Sequence, residues 1–314
     1  MNIHHIETLV AIADAGSYRK AAERLGRNQP ALSKTIRALE EELGLTLFIR
    51  SQRGAVLTEA GETLYRRART VLADVTALKD EVGNLLGHRQ GRVRIGVSPA
   101  AGTVVLPRAL ALFRRDWPEA EVDIIPVLYP DSVSLLREAV LDIVIGPLPE
   151  AHAGQDLISE TLFDMPAYVV TSQTNPKRST SNIADLKDDT WLVHGPAEGP
   201  SSLFLHAFGD AEHLLPTALT RCHSISATMA LIEELDAFCV LSRHVYENQK
   251  SKYQICRVPI KDDLPHFRLS QVTHRSHPPT PAVMAFADCI RRHGQNIRIK
   301  ENRYDCSPKN ASIA

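Results

Sequence analysis

Cysteine is sparse and unpatterned in this chain. Five residues in 314, Cys222, Cys239, Cys256, Cys289 and Cys306, are odd in number, far apart and without a C-x-x-C pair, which excludes a disulfide framework and a zinc module. No apolar run approaches the roughly 18 residues of a membrane span, and MNIHHIETLV lacks the basic start and apolar core of a secretory leader. The expected compartment is the cytoplasm, with no membrane association. No P-loop, G-x-S-x-G, H-E-x-x-H or G-x-G-x-x-G motif is present, and the histidines are scattered, so no catalytic set, metal site or cofactor is assigned. Net charge is −1, which excludes a uniformly basic nucleic-acid binder but leaves room for a local patch.

Such a patch is present. From Arg19 to Arg53 eight basic residues face four acidic ones, Glu23, Glu40, Glu41 and Glu42. The same region reads as three helices. Ile6, Leu9, Val10 and Ala13 recur at helical spacing up to Gly16; Ser17 caps SYRKAAERLG, which ends at Gly26; Asn28 caps a third helix with Pro30 in its first turn, where N–H groups lack intrahelical partners anyway. In that third helix Leu32, Ile36, Leu39 and Leu43 form a buried stripe, while Gln29, Ser33 and Arg37 lie on another face beside Lys34. The glutamates cluster at the C-terminal end, where acid opposes the helix dipole; they keep negative charge away from Lys34 and Arg37. Such a face suits a major groove, Gln pairing with adenine and Arg with guanine, although any amphipathic surface helix also shows a polar face. Two short strands around Ser51 to Gly54 follow, which makes the unit a winged helix-turn-helix with Arg53 at the wing tip.

The run SYRKAAERLGRNQPALSKTIRALEEELGLTLFIRSQRGAVLTEAG resembles the N-terminal signature of LysR-type transcriptional regulators, unbroken over about the first 65 residues. The resemblance implies a DNA-binding set of Asn28, Gln29, Pro30, Ala31, Ser33, Lys34 and Arg37 on the recognition helix, with Arg50 and Arg53 at the wing. Asn28 stands where Ser is commoner and still suits a cap; Arg27 stands where an apolar residue is frequent, and a phosphate contact is the expectation for it.

Beyond Thr58, Leu64, Ala68, Val71, Val75, Leu78, Val82 and Leu85 step alternately by four and three, the heptad of a coiled coil, the alternative being one amphipathic helix folded onto its own domain. In the family this helix dimerises.

After residue 90 the texture becomes alternating strand and helix. Strands are expected at Val93 to Val97, Val122 to Val127, Asp142 to Gly146, Ala167 to Thr171, Trp191 to His194, Leu219 to Cys222, Phe238 to Leu241 and Phe267 to Thr273. Helices fall between them near Thr103 to Arg115, Ser132 to Val140, Ser202 to Phe208, Ala227 to Glu234 and Ser242 to Glu247, and a last one is capped by Thr280 and Pro281. This is an α/β pattern with parallel sheets. The expected organisation is a winged helix-turn-helix at 1–58, a linker helix at 59–90, an effector-binding domain at 91–300 and a disordered tail at 301–314. Within the effector domain, subdomain I is 91–162 and 267–300 and subdomain II is 163–266, joined by crossovers near Glu160 to Asp164 and Asp263 to Phe267. By resemblance it is a periplasmic-binding-protein-like module whose cleft holds a small metabolite.

Turns that follow strands supply the candidate effector residues: Ser98, Pro99 and Ala100; Asp131 and Ser132; Pro147; and His194, Gly199, Ser201 and Ser202. Hydroxyls and backbone N–H groups at a helix start suit an anion, so a small organic or aromatic acid is expected, with His194 able to add a proton. Gly, Pro and Ser are equally what loops and caps are made of, and Ser226 reads as the cap of the Ala227 helix. The implied partners are double-stranded DNA, a small-molecule effector, further copies of the chain as dimer or tetramer, and RNA polymerase. A cytoplasmic α/β enzyme and a solute-binding module are the rival readings; the lack of a nucleophile-base-orienter set argues against the first, and the second leaves the basic winged helix and the heptad unexplained.

Overall fold

The computed structural model describes residues 1–51, 54–86, 89–148, 154–199, 205, 208, 216–264, 266–275, 277 and 279–305, leaving aside the side chains of 50, 51 and 299–305. Arg53, Ser201, Ser202 and most of the helix expected near Ser202 to Phe208 lie outside these residues, as does the side chain of Arg50. Two compact units form, one comprising Met1–His88 with the short segment Arg137–Val140 and the other Arg89–Leu136 with Leu141–Ala314.

The first unit begins with α1 (Ile3–Ala15), α2 (Tyr18–Leu25) and α3 (Gln29–Leu43). Gly16, Gly26 and Gly44 end them in the left-handed region, φ 61°, 62° and 68°, where glycine carries no Cβ penalty. Asn28 accepts the Ala31 N–H at 2.9 Å as expected, whereas Ser17 occupies the N-cap position of α2 without a side-chain cap bond. Strands β1 (Phe48–Ser51) and β2 (Gly54–Leu57) pair antiparallel to make the wing. The helices and wing bury Leu9, Ile12, Leu32, Ile36, Leu39 and Leu47 in one core. Helix α4 (Glu59–Leu85), capped by Thr58 through the Gly61 N–H, adds Leu64, Ala68 and Leu72 to that core.

In the second unit the strands form two five-stranded sheets. The first sheet contains β3 (Arg92–Val97), β4 (Glu121–Pro126), β5 (Ile143–Pro147), β6 (Leu157–Met165) and β12 (Phe267–His274), in the order β4-β3-β5-β12-β6. The second contains β7 (Ala167–Ser172), β8 (Thr190–His194), β9 (Ala218–Cys222), β10 (Phe238–Ser242) and β11 (Ile255–Arg257), in the order β11-β7-β10-β8-β9. Helices α5 (Pro99–Val104), α6 (Leu106–Asp116), α7 (Asp131–Arg137), α8 (Ile225–Leu235), α9 (Arg243–Gln249) and α10 (Pro281–Asp305) connect or cover them. Their apolar stripes pack on the strands, with Phe113 against Phe286 over the first sheet and Trp191 against Phe238 in the second.

Several expectations need correction. The sheets are mixed: β12 runs antiparallel to β5 and β6, and β7 antiparallel to β10 and β11. The segment expected to cross over at Glu160 to Asp164 is the strand β6, paired along its length with β12, so the first sheet extends to Met165 and the chain passes to the second through Pro166. Burial along β6 does not alternate cleanly, because a bulge opposite Leu269 and Ser270 resets the pleat, and periodicity therefore misses it. The cap of α8 is Ser224, accepting the Ala227 N–H at 3.4 Å, and not Ser226. Helix α10 continues to Asp305, so residues 301–305 are helical rather than part of a disordered tail; 306–314 lie outside the described residues.

Candidate functional sites

On α3, Asn28, Gln29, Pro30, Ala31, Lys34 and Arg37 are exposed and Ser33 is half-buried, while Leu32, Ile36 and Leu39 face the core. The expected DNA-facing set on this helix thus shares one accessible side. Its acidic end has a role that spacing does not reveal. Glu40 accepts the backbone N–H of Leu47 at 2.7 Å and of Phe48 at 3.2 Å, tying α3 to the first wing strand, and Glu42 pairs with the N-terminal ammonium of Met1. Glu41 is the exposed member of the triplet without such a tie among the described residues. Arg27 reaches the ring of His4 at 2.6 Å. At the wing, Gly54 lies so close to the turn after α1 that a Cβ there would stand 2.3 Å from the Gly16 carbonyl oxygen, and the Ala55 N–H donates to that oxygen at 3.0 Å.

Along α4 the heptad splits. Leu64 and Ala68 join the core of the unit, whereas Leu78, Val82 and Leu85 are 64%, 51% and 83% exposed, leaving the second half of the stripe on the surface of the single chain.

In the second unit three adjoining cavities lie where strand ends meet helix starts. One of about 20 Å³ is bordered by Ser98, Tyr129, Ser132, Pro147, His194 and Gly199. A second, of about 50 Å³, shares Ser98, Pro147 and His194 and is walled by Met165, Ile225, Leu241 and Phe267. The outer one, about 400 Å³, adds Asp131, Glu198 and His223. Ser98, Pro99, Ala100, Asp131, Ser132, Pro147, His194 and Gly199, eight of the ten expected residues, therefore border one cleft, and the other two lie outside the described residues. Gly195 there adopts φ +97°, a conformation that favours glycine, and a Cβ on it would lie 3.1 Å from the Leu128 side chain.

Ser98 closes β3 by donating its N–H to Ile145 at 2.9 Å, and its hydroxyl oxygen accepts the Ala101 N–H at 3.3 Å. Ser242 repeats the arrangement after β10, accepting the Val245 N–H at 3.4 Å. Both are cap and lining residue at once, so the two roles proposed for such serines coexist, each oxygen held by its helix and each proton left to donate. Ser242 was missed, although strand, serine, helix is the signal that marked Ser98. Leu128, Met165, Val240 and Phe267 carry no sequence mark of a cleft; their position depends on the pairing of distant strands. His194 is 6% exposed, and burial, helped by His223, lowers its pKa, so the ring is neutral near pH 7. The expectation that it adds a proton is therefore revised. No Lys or Arg borders the three cavities among the described residues.

Family models match both units: the LysR substrate binding domain over residues 86–295 and the bacterial regulatory helix-turn-helix of the lysR family over 3–62. The chain belongs to the LysR family. LysR-family relatives include a hydrogen peroxide-inducible genes activator of Pectobacterium carotovorum subsp. carotovorum, 28% identical over 302 residues, covering 94% of this chain and 97% of the relative. The HTH-type transcriptional regulator BbuR of Bordetella bronchiseptica is 37% identical over 226 residues, 71% of this chain and 67% of the relative. Among solved LysR-family structures, a full-length OxyR variant from Pseudomonas aeruginosa superimposes with TM-score 0.70 at 22% identity, covering 93% of this chain and 95% of that one. CbnR superimposes with TM-score 0.65 at 20% identity, covering 94% and 99%. The LysR assignment makes the chain a DNA-binding transcriptional regulator with an effector-binding domain and sets aside the enzyme reading. Among the described residues no helix is long and apolar enough to cross a membrane.

Proposed function

We propose that this regulator works in the cytoplasm as a dimer, or a tetramer built from dimers, reading its operator with α3. Gln29, Pro30, Ala31, Ser33, Lys34 and Arg37 meet the DNA, Asn28 holds the helix start, and Arg50 and Arg53 follow the backbone or minor groove. What carries the reading is the single accessible side of α3, on which Gln29, Ser33, Lys34 and Arg37 offer donors and an amide suited to base edges and phosphates, while two of the three carboxylates at its far end, Glu40 and Glu42, are tied back elsewhere. The exposed half of the α4 heptad is the dimer seam. The effector is a small organic acid with an apolar body, its charge met by the hydroxyls of Ser98 and Ser132, and its binding changes contacts with the operator or with RNA polymerase.

Peroxide sensing through Cys239, Cys256 or Cys289, a role suggested by the name of one relative, is not favoured. Burial pushes the Cys239 thiol up to about 12 and raises those of Cys256 and Cys289, so none of these three offers a thiolate near pH 7. A gel-shift titration of the full chain on its own upstream region, with and without a panel of aliphatic and aromatic carboxylates, tests the proposal. A specific shift that a carboxylate alters is expected; DNA binding that survives Arg37→Ala unchanged, or a response confined to neutral sugars, would contradict it.

A further inference from the structure

The ring of His194 lies at the end of β8, its Nδ1 3.4 Å from the hydroxyl oxygen of Thr228. That hydroxyl donates its proton to the Ser224 carbonyl at 2.9 Å. A hydroxyl has one proton, so toward His194 the Thr228 oxygen is an acceptor and Nδ1 carries the ring hydrogen. Because the ring is neutral, Nε2 then holds a lone pair. Nε2 is buried and has no hydrogen-bond partner among the described residues, an unfavourable state for an acceptor removed from water.

The surroundings narrow what meets this nitrogen. His194 borders both inner cavities and supplies their one side-chain nitrogen among the described residues; the other polar side chains there are the hydroxyls of Ser98, Ser132, Ser242 and Tyr129, set among apolar walls. Among the described residues no carboxylate borders either inner cavity, so an ammonium placed there would lose its water without gaining a counter-charge. An uncharged donor avoids that penalty. The cavity of about 20 Å³ has room for a group the size of one water, which a hydroxyl matches.

We propose that His194 is a specificity-determining residue of the effector cleft, its Nε2 accepting a hydrogen bond from a hydroxyl on the ligand, so that the effector is a hydroxy-substituted organic acid with an apolar body. This deepens the cleft assignment above and rests on it. His194 selects by leaving an unmet acceptor when the hydroxyl is missing, the mechanism by which polar sites reject analogues that lack one group.

The full chain is tested in two ways. Nitrogen NMR of the free protein reads the ring tautomer directly: an unprotonated Nε2 is expected, and a protonated Nε2 overturns the proposal whatever the ligand. Calorimetry then compares benzoate with the hydroxybenzoates, phenylpropanoate with phenyllactate, and phenol as a hydroxyl without an acid. At least one hydroxy acid is expected to bind about tenfold or more tightly than its parent, with the difference lost in His194→Leu and partly kept in His194→Gln, whose amide oxygen still accepts. Circular dichroism checks that both variants fold. No hydroxyl-dependent binding anywhere in the panel, or a hydroxyl preference that persists in His194→Leu, refutes the role of His194. Phenol binding as well as the hydroxybenzoates would leave that role standing and refute the acid assignment, so the two failures are distinguishable.

Discussion

The carboxylate of Glu40 accepts the backbone N–H of Leu47 at 2.7 Å, fastening the end of α3 to the start of the wing. Two N–H groups that would otherwise lack partners depend on it, since Phe48 donates to the same oxygen. Glu40→Ala is expected to destabilise the N-terminal unit by about 1–3 kcal/mol, and Glu40→Gln by less, because an amide oxygen accepts but carries no charge. Urea unfolding followed by far-UV dichroism, with gel shifts beside it, measures this; a variant as stable as the parent would show the contact to be dispensable.

Gly54 makes a second demand on the wing. With φ 123° and a Cβ position 2.3 Å from the Gly16 oxygen, Gly54→Ala must move backbone against backbone. A loss of about 1–3 kcal/mol is expected, with weaker DNA binding, and thermal unfolding of the variant checks it.

The proposed DNA-facing residues of α3 are expected to make two kinds of contact with different salt behaviour. Arg37→Ala is expected to cost about 1–3 kcal/mol on a cognate site and to relax preference at one base position, whereas Lys34→Ala weakens all sequences alike and lowers the salt slope by about one. Titrations across ionic strength on cognate and scrambled fragments distinguish them.

Leu78 and Val82 lie on the surface of the single chain although they continue the α4 stripe. Leu78→Asp is expected to convert the assembly toward monomers and to reduce operator affinity while leaving effector affinity intact. Light scattering coupled to gel filtration reports the mass; an unchanged oligomer would move the seam elsewhere.

His244 packs against Phe163, ring centroids 5.4 Å apart, and burial, with the Arg243 charge beside it, brings its pKa down to about 4. The unfolded imidazole titrates near 6.5, so the folded state binds fewer protons between these values. The stability it contributes is complete above about pH 6.5 and is lost as pH falls toward 4, at up to about 1.4 kcal/mol per pH unit, and His194 acts in the same direction. Unfolding free energies measured from pH 7.5 to 4.5 should fall, and fall less in His244→Phe; a flat profile would mean that the ring titrates normally in the folded chain.

Helix α3 was legible because its signals are local. Asn28, Pro30 and Gly44 mark its ends, the Leu32, Ile36, Leu39 stripe marks its buried side, and what remains is its accessible side. Strands such as β5 and β10 were legible for the same reason, since a run of buried apolar residues such as 238–241 needs no knowledge of its neighbours. Strand β6 was not, because its burial follows from pairing with β12, more than a hundred residues away, and from the bulge between them. The cleft was half legible: serines and glycines after strands announce helix starts, but nothing local places Met165, Ser242 and Phe267 around His194.

By itself, then, the chain's order of residues determines local hydrogen-bond supply, hydrophobic periodicity and the winged-helix signature, because each of these is settled within a few turns of backbone. Tertiary structure alone decides that Glu40 serves the wing rather than the charge pattern of α3. It also decides that burial lowers the pKa of His194, because protonation depends on what packs around a group and not on what precedes it in the chain.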